Sequence, residues 1–352
     1  MNQLATPARR FGPEFVEAHR HRYGHRPAQQ RQLTYDIAVL EQYAPWRGWL
    51  DEQLALLPPH QADKLARKWL LDEHFWPVIF ELATGAALRA AGLNVAYDRE
   101  YDNDLTPDWT VLSDRGDPVC LVEVHTHSPA KETFAQMRAW HGLVQRIKKI
   151  PVSVVLVLAS QGQPIRPPTP QLARKIAQDL RLALLRPGHG PAITSHGYTF
   201  QILANPTGGG AMPSPLGLHA CFEPPSCIAG VVSARQLAIK IEGKVRKYGG
   251  LADALEVPLL VAVGAHPFTG VTLEHLDTLL TGTPTTTFQF NLGDAWIGQE
   301  TVDLGRPDRW GMPGELAGVL WAHNQPPFGL AWRPNPNARR PLPVTLRSAF
   351  EP

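Results

Sequence analysis

The sequence contains few cysteines and no long apolar run, and both absences restrict what the protein can be. Its three cysteines, Cys120, Cys221 and Cys227, form no C-x-x-C pair, which argues against a disulfide framework and against a structural zinc site. No stretch of about 18 apolar residues occurs, and no apolar segment follows the basic residues near the start. We therefore expect a cytoplasmic protein that is not secreted and does not enter a membrane.

An excess of one charge sign is also missing, because 34 lysines and arginines face 32 aspartates and glutamates, for a net charge of +2. A nucleic-acid partner would therefore need a locally basic surface rather than a basic molecule. What the chain does have is 43% hydrophobic residues and ten tryptophans in 352 residues, enough for a sizeable core in one large or two modest domains. The composition leaves the oligomeric state open, with a homodimer as one alternative.

The spacing of apolar residues predicts an α/β protein with three regions. Residues 1–71 are expected to form a helical N-terminal region with a basic arm, and residues 72–200 a core with the element order α-β-β-β-α-β. The last helix and strand of that core are expected within residues 131–160. Residues 201–352 form an additional α/β portion, whose buried strand at 258–264 either extends the sheet of the core or forms a sheet of its own.

Two carboxylates are predicted to face each other across a β-hairpin. If the turn is centred between Arg115 and Gly116, paired residues have numbers that sum to about 231, which sets Asp108 opposite Glu123. Like charges at such positions repel, and a divalent cation would turn the repulsion into attraction, since Mg²⁺ and Mn²⁺ select hard oxygen ligands. Glu81 is the lone carboxylate of an apolar helical segment, where an unpaired charge is costly, so we expect it to join the same site.

These residues resemble the motif of the PD-(D/E)xK nuclease superfamily, the restriction-endonuclease-like group. Pro107-Asp108 matches the first part of the motif, and Glu123-Val124-His125 matches the second part except that histidine replaces lysine. Gln136 and Trp140 are similar to the Q-x-x-x-Y element of some members, with tryptophan in place of tyrosine. The resemblance covers about residues 72–160, under a third of the chain.

The resemblance implies a restriction-endonuclease-like core with a mixed sheet and a nuclease that requires Mg²⁺ or Mn²⁺. Such an enzyme hydrolyses phosphodiester bonds, here with DNA favoured over RNA, in defence or repair. Asp108, Glu123 and Glu81 would hold the metal, which activates water and neutralises the scissile phosphate, while His125 would orient or deprotonate that water. An ordinary histidine pKa of about 6.5 would make the rate rise between about pH 6 and 7.

Two alternatives remain open. Histidine at position 125 lacks the permanent charge of lysine, which agrees with a catalytically degenerate nuclease-fold module that binds nucleic acid or a protein partner, unless Lys131 supplies the charge from the next helix. His125-Thr126-His127 also has the spacing of two zinc ligands on one strand face, which would make the protein a zinc hydrolase.

Basic residues in two segments are candidates for contacts with a phosphate backbone. Arg20 and Arg22 belong to the basic arm, and Lys244 and Lys247 lie on a predicted amphipathic helix. The alternative for both segments is a helix with a solvated basic face. Lys131 and Gln136 are two further candidates for nucleic-acid binding.

Overall fold

The computed structural model divides into two units, each with its own core. The first unit comprises Met1–Phe75 and Pro129–Ala229, and the second unit comprises Trp76–Ser128 and Gly230–Pro352. No helix in the described part of the chain is long and apolar enough to cross a membrane. The structure describes residues 9–350 except 102–103, 130, 153, 160–164, 187, 189, 204–220, 224–233, 267–268, 270, 283–284, 293–294, 304–309, 325–327 and 348–349.

The first unit combines helices with a four-stranded sheet. Its helices are α1 (Pro13–Tyr23), α2 (Tyr35–Val39), α3 (Ala44–Ala55), α4 (Pro59–Lys68), the start of α5 (Asp72–Ala90), α6 (Lys131–Ile147) and α7 (Pro170–Leu184). Its strands are β4 (Val155–Leu158), β5 (Ala192–Ser195), β6 (Tyr198–Leu203) and β7 (Cys221–Glu223). The strand order is β5-β6-β4-β7, with β7 parallel to β4 and the other pairs antiparallel.

Amphipathic helices build the core of the first unit. On α7, Ile176, Leu180 and Leu184 are buried at a spacing of four residues, as expected for the apolar stripe of a helix. They form one cluster with Leu143 of α6 and Leu156 of β4. The apolar periodicity of these segments is therefore satisfied within the first unit.

The second unit is built around a six-stranded mixed sheet. The six strands of this sheet are β1 (Asn94–Tyr97), β2 (Trp109–Leu112), β3 (Pro118–His127), β8 (Leu259–Ala265), β11 (Leu316–Ala322) and β12 (Leu330–Pro334). The unit also contains β9 (Thr285–Leu292) and β10 (Ala295–Asp303). Its helices are most of α5, then α8 (Ala234–Ala254), α9 (Leu273–Thr281) and α10 (Val344–Arg347). Strands β9 and β10 pair with each other in a separate two-stranded sheet.

The six strands have the order β1-β2-β3-β8-β11-β12. Strand β3 is antiparallel to β2 and parallel to β8, and β11 is parallel to β8 and antiparallel to β12. Every residue of β8 and β11 is buried, as expected for parallel strands covered on both faces. The edge strands β1 and β12 are less buried.

Two glycines let helix α5 approach this sheet closely. A Cβ atom at Gly85 of α5 would lie 2.0 Å from the ring of Trp109 on β2, and one at Gly264 on β8 would lie 2.2 Å from the ring of Phe80. The Trp109 indole also donates a hydrogen bond of 2.8 Å to the backbone carbonyl of Glu81. These contacts fix the part of α5 that carries Glu81 against β2.

The helix and strand that follow β3 in the sheet are not those expected from the sequence. The expectation was that residues 131–160 would complete the core, but α6 and β4 belong to the first unit, where β4 pairs with β6 and β7. Strand β8 pairs with β3 instead, and α8 precedes it. Residues 129–200 of the expected core at 72–200 therefore belong to the first unit, and residues 76–128 belong to the second.

The periodicity of apolar residues could not show whether α6 and β4 or α8 and β8 would complete the sheet beside β3. Both pairs of segments consist of an amphipathic helix followed by an apolar strand, so either could supply a parallel neighbour for β3. Pairing of parallel strands is non-local, and its partner is decided by packing rather than by spacing along the chain. Of the two options left open for the strand at 258–264, the structure has the one in which it extends the sheet of the core.

Candidate active site

The hairpin of β2 and β3 has the expected register at the site, but only beyond a β-bulge between Val111 and Leu112. Next to the turn, Leu112 pairs with Pro118 and the numbers sum to 230. Gly116 adopts φ of +85°, a left-handed conformation that favours glycine, and the Ser113 amide donates to the carbonyl of Asp117 at 2.8 Å. Trp109 pairs with Val122, so the numbers of paired residues sum to 231 as expected. Continuing this register by one position sets Asp108 opposite Glu123.

Asp108 is held tightly at the start of β2. Its Oδ2 atom accepts a hydrogen bond of 2.7 Å from the Val124 amide, and its own amide donates to Glu123 Oε2 at 3.3 Å. Burial raises the pKa of Asp108 well above the ordinary carboxyl value, and the negative charges of Glu123 and Glu81 raise it further. The site therefore disfavours the ionised form of Asp108 as long as no cation is bound.

Glu81 approaches the same site from α5. Its Oε2 atom accepts a hydrogen bond of 2.7 Å from the hydroxyl of Tyr97 on β1. Burial and the charge of Glu81 raise the pKa of Tyr97, so this phenol stays protonated and remains a donor. The effect of Glu81 on the pKa of Asp108 shows that the two carboxylates interact electrostatically.

Lys244 of α8 supplies a positive charge directly to the carboxylate pair. Its Nζ atom forms an ion pair with Glu123 Oε1, and Glu123 is buried, with a side-chain exposure of 3% against 30% for Lys244. The positive charge of Lys244 also acts on Asp108, where it partly offsets the rise in pKa. Lys244 thus neutralises Glu123, whereas the ionised form of Asp108 has no cation of its own to offset burial and the charge of Glu81.

The apolar pattern of α8 explains why Lys244 points to this site. Leu237, Ile241, Val245 and Tyr248 are buried at spacings of three and four residues and belong to the core of the second unit. Lys244 lies three residues after Ile241 and four before Tyr248, so it flanks the buried stripe rather than facing away from it. Packing of α8 on the sheet therefore carries the lysine to Glu123.

Tyr248 extends the site along α8. Its hydroxyl donates to the carbonyl of Thr106 at 3.1 Å and accepts a hydrogen bond of 2.8 Å from Lys247. Burial raises the pKa of Tyr248, and the carboxylates of Glu123 and Asp108 raise it further. Tyr248 thereby links α8 to the residues that lead into Asp108.

His125 follows Glu123 on the same face of β3 and is half-buried. Burial lowers its pKa to about 3, with smaller contributions from the positive charges of Lys244, His127 and Lys240. The expected titration near pH 6 to 7 is therefore wrong for this environment, because a buried imidazole beside lysines stays neutral. Its buried Nε2 atom forms no hydrogen bond with the described residues.

His127 lies two residues further along β3, and its ring centroid is 6.3 Å from that of His125. His127 is 4% exposed. Among the residues that the structure describes, no three His, Cys, Asp or Glu side chains are grouped closely enough to hold a metal ion. A zinc site would therefore need more than these two histidines to supply its ligands.

Several residues that the sequence suggests for nucleic-acid binding belong to the first unit and not to the unit that contains Asp108 and Glu123. Arg20 and Arg22 lie on α1, and Lys131 and Gln136 lie on α6, where both are exposed. Trp140, the expected partner of Gln136 in a Q-x-x-x-Y element, is buried in the core of the first unit. Helix α8 packs against β3 in the second unit, and there Lys244 precedes Tyr248 by four residues, the spacing of the glutamine and the tyrosine in that element.

Comparison of the chain with protein-family models, with curated proteins and with solved structures finds no match. Function must therefore be inferred from the chemistry of the site itself. Sequence reasoning missed the ion pair of Lys244 with Glu123, because 121 residues separate the two positions. The available signal was the position of Lys244 beside an apolar helical stripe, which indicates a helix that packs on a sheet.

Proposed function

We propose that the protein is a metal-dependent nuclease of the PD-(D/E)xK type that hydrolyses phosphodiester bonds, with DNA favoured over RNA. The observation that carries the proposal is the opposition of Asp108 and Glu123 on adjacent strands, with Lys244 bound to Glu123. The order α5, β1, β2, β3, α8 and β8 within the second unit supports it, since this is the α-β-β-β-α-β order of the superfamily.

The residues present fit a divalent cation. Asp108 and Glu123 would hold Mg²⁺ or Mn²⁺, and Glu81 would add negative charge. A bound cation would offset the repulsion between these carboxylates, which now raises the pKa of Asp108. Mg²⁺ keeps several waters and needs only one or two carboxylates together with substrate phosphate, so a three-residue ligand group is not required. When bound, the metal would activate a water molecule and polarise the scissile phosphate.

The chain itself supplies the remaining charge and hydrogen-bonding groups. Lys244 provides the permanent positive charge that histidine at position 125 does not, close enough to the carboxylates to stabilise charge that develops on a phosphate. His125 is neutral at physiological pH, so its ring offers one donor and one acceptor nitrogen for orienting a water molecule. We assign Lys244 the role of the motif lysine and His125 a role in water positioning.

A cleavage assay tests the proposal directly. Wild type, Asp108→Asn and Glu123→Gln should be incubated with single- and double-stranded DNA and RNA in Mg²⁺, in Mn²⁺ and in a chelator. We expect metal-dependent cleavage by the wild type and a loss of at least about 10³-fold in both variants, since each removes a charged metal ligand. Asp104→Asn, an exposed aspartate before the same strand, is the control. Cleavage that persists equally in both site variants would exclude this site.

The replacement of the motif lysine by His125 favours one alternative, a degenerate module that binds nucleic acid without cutting it. In that case the wild type binds DNA and stays inert in every metal, whereas His125→Lys gains cleavage. Binding of DNA without cleavage by either protein would leave only the binding role.

A further inference from the structure

The first unit contains a cavity of about 260 Å³ between the segment that leads into α2 and the last turns of α6. The two walls are packed closely, since a Cβ atom at Gly142 of α6 would lie 3.2 Å from the side chain of Gln29. They are also tied together, because the Asp72 carboxylate accepts hydrogen bonds from the Leu33 amide at 2.6 Å and from Arg138 of α6 at 2.8 Å. The cavity is therefore a built feature with fixed walls.

Three cations line this cavity, namely Arg31, Arg146 and Lys149. Within the described part of the chain, none of them forms an ion pair with a carboxylate. Arg31 is held in position by a hydrogen bond of 2.8 Å from its Nε atom to the Arg26 carbonyl and by stacking of its guanidinium on the Tyr35 ring at 4.6 Å. The positive charge of the cavity is thus left for an anion from solution.

Asp36 is the one carboxylate among the described lining residues, and it is already engaged. Its Oδ2 atom accepts a hydrogen bond of 3.0 Å from Gln145 and lies 3.6 Å from the Nε2 atom of His141. Burial lowers the pKa of His141, which leaves this ring neutral. Three cations and one carboxylate give the lining a net charge of +2.

We propose that this cavity binds the phosphate monoester of a nucleotide. A phosphate monoester carries a charge of about −1.5 to −2 at neutral pH, which matches the excess positive charge of the lining. Arginine forks bind phosphate oxygens bidentately, and lysine adds a point charge. The side-chain amides of Gln29, Gln32 and Gln145 offer donors and acceptors for the rest of a polar ligand. The cavity is close in size to the lower end of small-molecule sites, about 300 Å³.

The proposal does not depend on the nuclease activity of the second unit, because all lining residues belong to the first unit. Its test is a binding measurement with the intact chain by titration calorimetry at low ionic strength. The probes are adenosine 5′-monophosphate, adenosine, inorganic phosphate, and a short oligonucleotide with and without a 5′-phosphate. The chelator EDTA removes metal, so cleavage does not interfere.

Two exposed lysines of the first unit provide a pair of variants. Lys149 lines the cavity, whereas Lys175 on α7 does not line it. We expect Lys149→Glu and Arg146→Glu each to weaken binding of the phosphorylated probe by at least about 10- to 100-fold, the range for hydrogen bonds to charged groups. Lys175→Glu should weaken it less than about 3-fold. Circular dichroism and thermal melting confirm that all three variants are folded.

The probes separate the sources of the phosphate. Binding of the mononucleotide but not of adenosine supports a nucleotide site, and tighter binding of the 5′-phosphorylated oligonucleotide than of the unphosphorylated one identifies a strand end as the ligand. Equal binding of adenosine and its monophosphate would overturn the proposal. So would equal losses in Lys149→Glu and Lys175→Glu, or binding of no phosphorylated probe at millimolar concentration.

Discussion

At Asp108, three carboxylates and one lysine share a buried site, and their charges do not balance. Lys244 neutralises Glu123, while Glu81 and burial both disfavour the ionised form of Asp108. A carboxyl group whose pKa is raised in the folded state stabilises the fold when it is protonated, and this contribution is lost as pH rises from the unfolded value, about 3.9, through the folded value. The metal-free protein should therefore become less stable over this interval.

Asp108→Asn should stabilise the metal-free protein while abolishing cleavage. The amide oxygen of asparagine can still accept the hydrogen bond from the Val124 amide, but the buried charge is gone. In EDTA, we expect the variant to melt at a higher temperature than the wild type, with a difference that grows as pH rises from about 4 to 8. Melting curves over this pH range, with Asp104→Asn as the control, measure the effect. A lower melting temperature for Asp108→Asn at pH 8 would contradict the charge imbalance.

The same charge balance predicts the effect of added metal. Mg²⁺ that binds the folded wild type should raise its melting temperature in proportion to the logarithm of metal concentration, and Asp108→Asn should show little of this shift. Melting of both proteins across a magnesium series measures it.

Lys244→Met should lower the rate of cleavage by about 10²- to 10³-fold, the usual loss when one electrostatic stabiliser of a transition state is removed. Lys247→Met, on the same helix, should leave the rate at saturating DNA nearly unchanged. If Lys244 replaces the lysine of the motif, the double variant Lys244→Met/His125→Lys should cleave at least about 10-fold faster than Lys244→Met alone. A double variant as inactive as Lys244→Met alone would show that position 125 cannot take over this role.

His125 should not produce a titration step in the pH–rate profile. Burial lowers its pKa to about 3, so the imidazole is already neutral at pH 5.5. We expect His125→Gln to lower the rate by about 10²-fold or more, and the ratio of wild-type to variant rates to stay constant from pH 5.5 to 7.5. A histidine with an ordinary pKa would instead make this ratio rise about 10-fold over the same interval. Such a rise would show that His125 is solvated.

At the scale of the element, helix α8 presents two different basic surfaces. Lys240, Lys244 and Lys247 follow one face at spacings of four and three residues, the face that includes the contact with Glu123. Arg246 faces elsewhere, lining a separate cavity with Glu242 and Gly249. Only the lysine face continues from the candidate active site, so we expect it to follow the phosphate backbone.

Salt dependence of DNA binding separates the two faces of α8. Each lysine that contacts a phosphate contributes about 1 to the slope of log affinity against log salt concentration. Lys240→Ala and Lys247→Ala should each reduce the slope by about 1, and Arg246→Ala should leave it unchanged. Fluorescence anisotropy with labelled DNA in EDTA, from 50 to 300 mM salt, measures these slopes. Slopes equal to that of the wild type in all three variants would indicate that α8 does not contact the phosphate backbone.

At the scale of the whole molecule, the chain builds two separate cores from interleaved segments. Leu180 of α7 is fully buried in the core of the first unit, and Leu259 of β8 is fully buried in the core of the second. Leu→Ala at either position should cost about 2–5 kcal/mol of folding free energy. Because the cores are separate, the loss of protection should be confined to one unit in each case.

Hydrogen exchange detects this difference. In Leu180→Ala, amides of β4 and β6 should exchange faster while those of β3 and β8 keep their protection, and the reverse should hold in Leu259→Ala. A uniform increase of exchange across both units in either variant would show that the chain unfolds as one cooperative body.

The strand that carries Glu123 was predictable from the sequence, whereas β9 to β12 were not predicted. Alternation of side chains along β3 set Glu123 and His125 on one face. The register next to the turn would set Asp108 opposite Val122, and the β-bulge between Val111 and Leu112 shifts it by one residue to Glu123. The alternation and the turn are local properties, because the period of a strand and the geometry of a tight turn depend on neighbouring residues alone. The expected position of Asp108 opposite Glu123 is confirmed, although the β-bulge that produces it was not predicted.

The partners of β3 beyond the hairpin were decided only by tertiary structure. An amphipathic helix and an apolar strand occur both after β3 and again at α8 and β8, and the sequence gives no means of ranking them, because parallel pairing depends on long-range packing. That choice brought Lys244 to Glu123 and moved Lys131 and Gln136 into the first unit. It also set the pKa of His125, since burial and the neighbouring lysines exist only in the folded chain. The sequence by itself determined the carboxylate pair, whereas the fold determined the cation that accompanies it.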